Sequence, residues 1–304
     1  INKNINRLEE RNQNENQVTL TFAEFDEKQI PTEKEIAFLT DISYVHSDLT
    51  PLPLLPLFCR QITPDTIDKY ESFIKASIAK IDELNNQPMM GVIPAAMPRD
   101  FLINIMNIYE NNGMNAFCVD FQGSTTQGSM SKIRELFRIM KQKKMLEESY
   151  IYGINLSPGK LIKDKTILPA RDILSYGMAF DTIGGQHIRP RLPKEVWEQI
   201  KRKKDVTQNS IRLFNREDYG YYKINGQAIS SIYPKGSIIP LASLQKFETN
   251  KNIDKVFNME QQAIESKTLR DILNENAKPL DYISKKKYVE KKEIQNLQNL
   301  RKKS

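Results

Sequence analysis

The chain has 304 residues, with 45 Lys and Arg against 38 Asp and Glu, a formal charge of +7, 39% hydrophobic residues and 27% charged ones. So much apolar sequence at so balanced a charge excludes a wholly disordered chain, and the composition is neither collagen-like nor disulfide-stapled. The length suits one α/β barrel of roughly 250 residues, or two domains of about 150 each.

Residues 1–17 are rich in Asn, Gln, Glu and Arg and read as a polar lead-in without the basic and then apolar pattern of a secretory signal. Position 1 is Ile, which leaves an upstream segment open. The alternation from Val18 to Phe25 predicts a strand. A Pro-rich connection, Thr50 to Pro56, leads to Thr63-Pro64-Asp65, a cap residue followed by Pro at the first helical position. Ile67, Tyr70, Ile74, Ile81 and Leu84 then recur at helical spacing.

From Met89 the pattern becomes regular. Met89 to Ile93 is a strand and Arg99 to Glu110 a helix, with Leu102, Ile105, Met106 and Tyr109 on one face, ending near Gly113. Ala116 to Phe121 and Ser131 to Met145 repeat the pair, and Tyr150 to Leu156 with Ala170 to Tyr176 forms a third. Met178 to Ile183 with Pro193 to Lys203 is a fourth, and Ile211 to Phe214 opens a fifth. Short apolar strands alternating with amphipathic helices predict a parallel sheet covered by helices. The expected fold is therefore α/β, a (β/α)8 TIM-type barrel over residues 18–275, followed by a basic helical tail over 276–304. A doubly wound open sheet is the alternative, disfavoured because no Gly-rich dinucleotide fingerprint or P-loop follows any strand.

The longest apolar runs, Leu52 to Phe58 and Phe101 to Ile108, fall below the roughly 18 residues of a membrane span, so none is expected. Cys59 and Cys118 are far apart and sit beside apolar neighbours, the pattern of reduced thiols in a cytoplasmic protein. With His46 and His187 they make no closely spaced ligand pairs, so neither a zinc site nor any other cofactor is expected.

Positive charge is clustered. From Asp281 to Ser304 eight Lys and Arg face three acids, which supplies +5 of the net +7. Lys285, Lys286 and Lys287 lie in that segment, Lys194, Lys201, Arg202, Lys203 and Lys204 form a second cluster, and Lys141, Lys143 and Lys144 a third. Such clusters are the electrostatic footprint of a polyanion, although a solvated basic tail has the same composition.

In barrels and open α/β sheets function collects at the carboxyl ends of the strands. Those ends carry Asp120 and Gln122, then Asn155, then Asp181, Gly184, Gly185 and His187, then Asn215 and Asp218. Carboxylates and amides offer the acceptors and donors that a heterocyclic base edge requires, although the same residues also make turns and caps. Gly184-Gly185 would let backbone approach a base or a phosphate closely.

The stretch Tyr152-Gly153-Ile154-Asn155, Arg171-Asp172, Phe180-Asp181-Thr182-Ile183-Gly184-Gly185 and Pro193-Lys194-Glu195-Val196 resembles the tRNA-guanine transglycosylase superfamily. Leu213-Phe214-Asn215-Arg216-Glu217-Asp218-Tyr219 with Tyr222 is similar to the archaeal members' Leu-Phe-Asp segment, and Phe257-Asn258 with Leu269-Arg270-Asp271-Ile272 to their closing helix. The match is collinear over roughly residues 115 to 275. The resemblance implies a (β/α)8 barrel that exchanges guanine in tRNA for a 7-deazaguanine through a covalent ribosyl-aspartate. By position it implies that Asp120 recognises the base edge, that Asn155 replaces a base-binding Gln, and that Gly184-Gly185 supplies backbone donors.

Three departures accompany it. The nucleophilic aspartate position holds Asn215, and a neutral amide cannot form the ester. The family's Asp-Ser-Gly-Gly-Phe-Gln motif has no counterpart before residue 115, and its Cys-rich zinc site is absent. Asp218 or Asp181 is the candidate replacement carboxylate. Three readings stand: a divergent base-exchanging enzyme acting on tRNA or another nucleic acid, a catalytically silent paralogue that binds RNA or pairs with an active subunit, and an unrelated barrel enzyme using Gly184-Gly185 for a phosphate. A homo- or heterodimer is open in each.

Overall fold

The computed structural model describes residues 17–84, 87–159, 166–184, 195–196, 198, 210–250, 252–275 and 277–302. The described residues form two compact units, one of residues up to 122 with 129–154, the other of 123–128 with 155 onward.

The first unit is α/β. Helix α1 (Glu33–Val45) begins in a reciprocal box: Thr32 accepts from the Glu35 N–H while the Glu35 carboxylate accepts from the Thr32 N–H. The short β1 (Thr50–Pro51) and α2 (Pro56–Cys59) follow, then α3 (Pro64–Asp82), which starts where the sequence places it, with Pro64 in its first turn after Thr63. Next come β2 (Met89–Pro94), α4 (Arg99–Asn111), β3 (Ala116–Asp120), α5 (Met130–Gln142) and β4 (Tyr150–Ile154). The strands pair in parallel in the order β1-β2-β3-β4. Register sets Pro94, Asp120 and Ile154 level with one another, so the carboxyl ends of three strands finish together.

Every residue of β3 is buried, which explains its unbroken apolar run: side chains on both faces are covered. One face packs on α4, where Tyr109 lies tilted against Phe117 with ring centroids 5.9 Å apart and its hydroxyl donates to the Val92 carbonyl at 2.7 Å. That approach explains Gly91, because a Cβ there would lie 2.8 Å from the Tyr109 ring.

The alternating stretch Val18 to Phe25 does not become a strand. Among the described residues it makes a single parallel bridge, Glu24 to Leu54. The Thr19 and Thr21 N–H groups donate instead to the Asp48 carboxylate (2.7 Å) and the Ser47 hydroxyl (2.8 Å), so no ladder forms along it.

The second unit departs further from the expected repeat. A three-stranded sheet runs in the order β5 (Ile167–Pro169), β8 (Gly220–Ile224), β7 (Ile211–Asn215), and both pairings are antiparallel. Ile211 to Phe214 therefore opens a hairpin rather than a fifth parallel unit, because four residues after Asn215 turn the chain directly back. Met178 to Ile183 yields only the short β6 (Thr182–Ile183), and Met178 itself ends a 3₁₀ turn, Ile173–Met178, where a helix from Ala170 was expected. The left-handed backbone at Ala179 (φ 65°) closes that turn. Among residues 193–203, where a helix was expected, only 195, 196 and 198 are described.

After a second 3₁₀ turn (Gln227–Ser231) come α6 (Leu241–Gln245), the long α7 (Ile253–Asn274), α8 (Pro279–Ile283) and α9 (Lys291–Lys302). Phe257 of α7 packs with Ile211, Leu213, Ile229 and Leu244 in one hydrophobic core cluster of the unit. Asn258 also completes β7, accepting from the Phe214 N–H at 2.8 Å and donating to the Arg212 carbonyl at 2.9 Å, so a side-chain amide occupies the backbone groups of that edge strand. Among the described residues no helix is long and apolar enough to cross a membrane.

Candidate functional site

The first unit presents its chemistry where β3 ends. Asp120 shares a sheet face with Cys118 and is 3% exposed. Its carboxylate accepts from the Gln122 N–H at 3.0 Å, a short turn that holds Gln122 in the left-handed region (φ 50°). That turn aims the Gln122 side chain into the protein: its amide nitrogen is buried and meets no acceptor among the described residues. A buried donor without an acceptor costs on the order of 1–3 kcal/mol, so it marks a place where an acceptor is wanted.

The negative field of Asp120 reaches its neighbours. Burial pushes the Cys59 thiol up to about 12, a hydrogen bond from Tyr70 opposes the rise, and Asp120 adds to it. Burial, with Asp120 again, holds the Cys118 thiol well above its usual range. Both cysteines are therefore inert thiols of the core.

In the second unit, Asn155 directly follows β4, is 2% exposed, and has left-handed backbone (φ 55°). Asp181 is exposed, and Gly184 half-buried at the end of β6. Gly185 and His187 lie outside the described residues, as do Lys194, Lys201, Arg202 and Lys203.

The remaining two candidates belong to the turn between β7 and β8, and both are occupied with making it. The Asn215 side-chain oxygen accepts from the Glu217 N–H at 2.9 Å. One Asp218 carboxylate oxygen accepts from the Gly220 N–H at 3.0 Å and the other from the Tyr222 hydroxyl. Burial, and the Asp218 carboxylate beside it, raise the Tyr222 phenol, which keeps that proton on the tyrosine. Both Asp218 carboxylate oxygens are thus engaged by donors of its own hairpin, Gly220 and Tyr222.

Lys286 also lies elsewhere than a phosphate ligand would. It is 7% exposed, and its ammonium donates to the Arg216 carbonyl (2.8 Å) and the Tyr282 hydroxyl (2.7 Å), 3.8 Å from the Glu265 carboxylate. It also stands over the rings of Tyr282 (4.0 Å) and Tyr219 (4.9 Å). Glu265 is wholly buried and accepts from Tyr219 (2.6 Å) and Tyr282 (3.2 Å). Burial lowers the Lys286 ammonium, and Glu265 opposes that shift. The basic run is thereby split: Lys286 anchors the C-terminal segment, and Lys285, Lys287, Lys291 and Lys292 stay exposed. Lys286 is buried between two exposed lysines, which a count of charges does not reveal.

Comparison with protein-family models and with curated proteins finds no match for this chain.

Proposed function

We propose that the chain is a catalytically silent relative of the tRNA-guanine transglycosylases, binding a guanine-type base, and tRNA with it, without exchanging it. In this reading the β1–β4 repeat is an arc of a (β/α)8 barrel, and the base sits at its carboxyl end. The carrying observation is the buried, acceptor-less Gln122 side-chain amide in the turn that the Asp120 carboxylate holds through the Gln122 backbone N–H. A guanine edge presents one carbonyl acceptor next to two N–H donors. Gln122 would donate to the first and the Asp120 carboxylate would accept from the others.

The absence of exchange is supported by the occupation of Asn215 and Asp218 in their own turn, in addition to the neutral amide at the nucleophile position. The tRNA partner is supported by the exposed Lys285, Lys287, Lys291 and Lys292. The test is incubation of the protein with guanine-containing tRNA and radiolabelled guanine. The expected result is retention of tRNA with no label incorporated and no covalent adduct. Incorporation abolished by Asp218→Asn or Asp181→Asn would restore the enzymatic reading and name its nucleophile.

A further inference from the structure

We propose that Asp172 is a proton-operated clasp: protonated, it holds the 3₁₀ turn Ile173–Met178 against β8 and α7, and ionisation loosens that turn. Asp172 is 8% exposed and directly precedes the turn. One of its oxygens accepts from the Tyr221 hydroxyl of β8 at 2.6 Å, and that hydroxyl accepts in turn from the Gln262 amide of α7 at 2.9 Å. Three elements therefore meet through one carboxyl group. The other oxygen of Asp172 is buried with no hydrogen-bond partner among the described residues. Burial penalises the anion, because its charge is only partly met by the Tyr221 hydroxyl and the nearby backbone N–H groups.

Among the described residues no counter-charge acts on Asp172. Tyr221 is the titratable group in contact, and Tyr176 on the turn acts on Tyr221. Arg171, next in the chain, is committed to Glu293 (2.7 Å) and Glu290 (2.9 Å), and Glu265 of α7 to Tyr219 and Tyr282. Burial accordingly raises Asp172 from 3.8 to about 6, with the Tyr221 hydroxyl and the nearby backbone N–H groups opposing part of the rise. The switch falls in a range that cells and compartments traverse. The turn leads into Asp181, the candidate replacement carboxylate, and Gly184, expected to offer backbone to the base, so its loosening would reach both, a consequence that rests on the family resemblance behind the proposed function; the clasp itself does not.

The experiment is amide exchange of residues 173–178 in the full chain at pH 4.5 and 7.5, expressed as protection factors so that intrinsic base catalysis cancels. The protection of this turn, including the Ser175 N–H bonded to the Asp172 carbonyl at 3.1 Å, is expected to fall roughly twentyfold across that interval. Asp172→Asn should abolish the fall. Tyr221→Phe removes the one side-chain donor to the carboxylate and should move the transition to higher pH, which keeps the proposal testable if the Asn variant does not fold. Wild-type pH dependence persisting in Asp172→Asn, or an unmoved transition in Tyr221→Phe, would overturn it. Base titrations play no part in this readout, so its failure is distinct from failure of the base-binding reading.

Discussion

Replacing Lys286 by Met probes whether the basic C-terminal segment is an anchor or an appendage. The substitution keeps most of the side chain's volume and removes the charge 3.8 Å from a wholly buried Glu265. Glu265 retains its bonds from Tyr219 and Tyr282, but it becomes an uncompensated buried anion, a change that costs about 3–5 kcal/mol. The orphaned Arg216 carbonyl and the lost contacts with the Tyr219 and Tyr282 rings act in the same direction, each on the order of 1 kcal/mol. These contributions share partners and do not add, so a loss of about 4 kcal/mol is expected. The assay is urea unfolding of the full chain followed by near-ultraviolet tyrosine dichroism, with Lys285→Met and Lys287→Met as exposed controls expected within about 0.5 kcal/mol of wild type. Glu265→Gln added to Lys286→Met should recover part of the loss, because it removes the stranded charge. A Lys286→Met protein as stable as the two controls would refute the anchoring argument.

Stability of the wild type should fall as pH rises from about 4 to about 6 on account of Asp172, because the folded state binds that proton more tightly, and should level off above it. The rise from 3.8 to about 6 corresponds to about 3 kcal/mol, which Asp172→Asn should remove from the urea-derived pH profile. Gly91→Ala should cost about 1–3 kcal/mol by pressing on the Tyr109 ring, and Tyr109→Leu in the same chain should relieve part of it in thermal melts. If the exposed lysines contact phosphates, changing Lys285, Lys287, Lys291 and Lys292 together to Gln should flatten the salt dependence of tRNA affinity by about 0.9 per lost duplex contact; an unchanged slope would leave them solvated.

The strand-helix repeat from Met89 to Ile154 was legible because each strand is short, apolar throughout and followed by an amphipathic helix, a pattern that buried parallel strands and their covering helices impose directly. Beyond Ile154, in β5, β7 and β8, the same apolar pattern does not produce parallel strands. Ile211 to Asn215 has a strand's composition, but its direction of pairing is decided by a turn in which Asn215 and Asp218 bond to backbone two residues on, and apolar periodicity carries no trace of that. Val18 to Phe25 failed for a related reason, since Asp48 and Ser47 take the N–H groups that a ladder would use. Of the candidate site, the strand-end position of Asp120 and Gln122 followed from the repeat, whereas the buried amide of Gln122 depends on a left-handed residue that the sequence does not announce. The Tyr219, Glu265, Tyr282 and Lys286 cluster joins residues up to 67 positions apart and has no local signature.

The most direct test is calorimetric titration of guanine, and separately of a 7-deazaguanine, into wild type, Gln122→Ala and Asp120→Asn. Saturable one-to-one binding is predicted, weakened about two- to tenfold by Gln122→Ala and more by Asp120→Asn, which removes an ionised acceptor. Absence of binding, or binding of the same strength in all three proteins, would contradict the assignment of the β3 strand end as a base site.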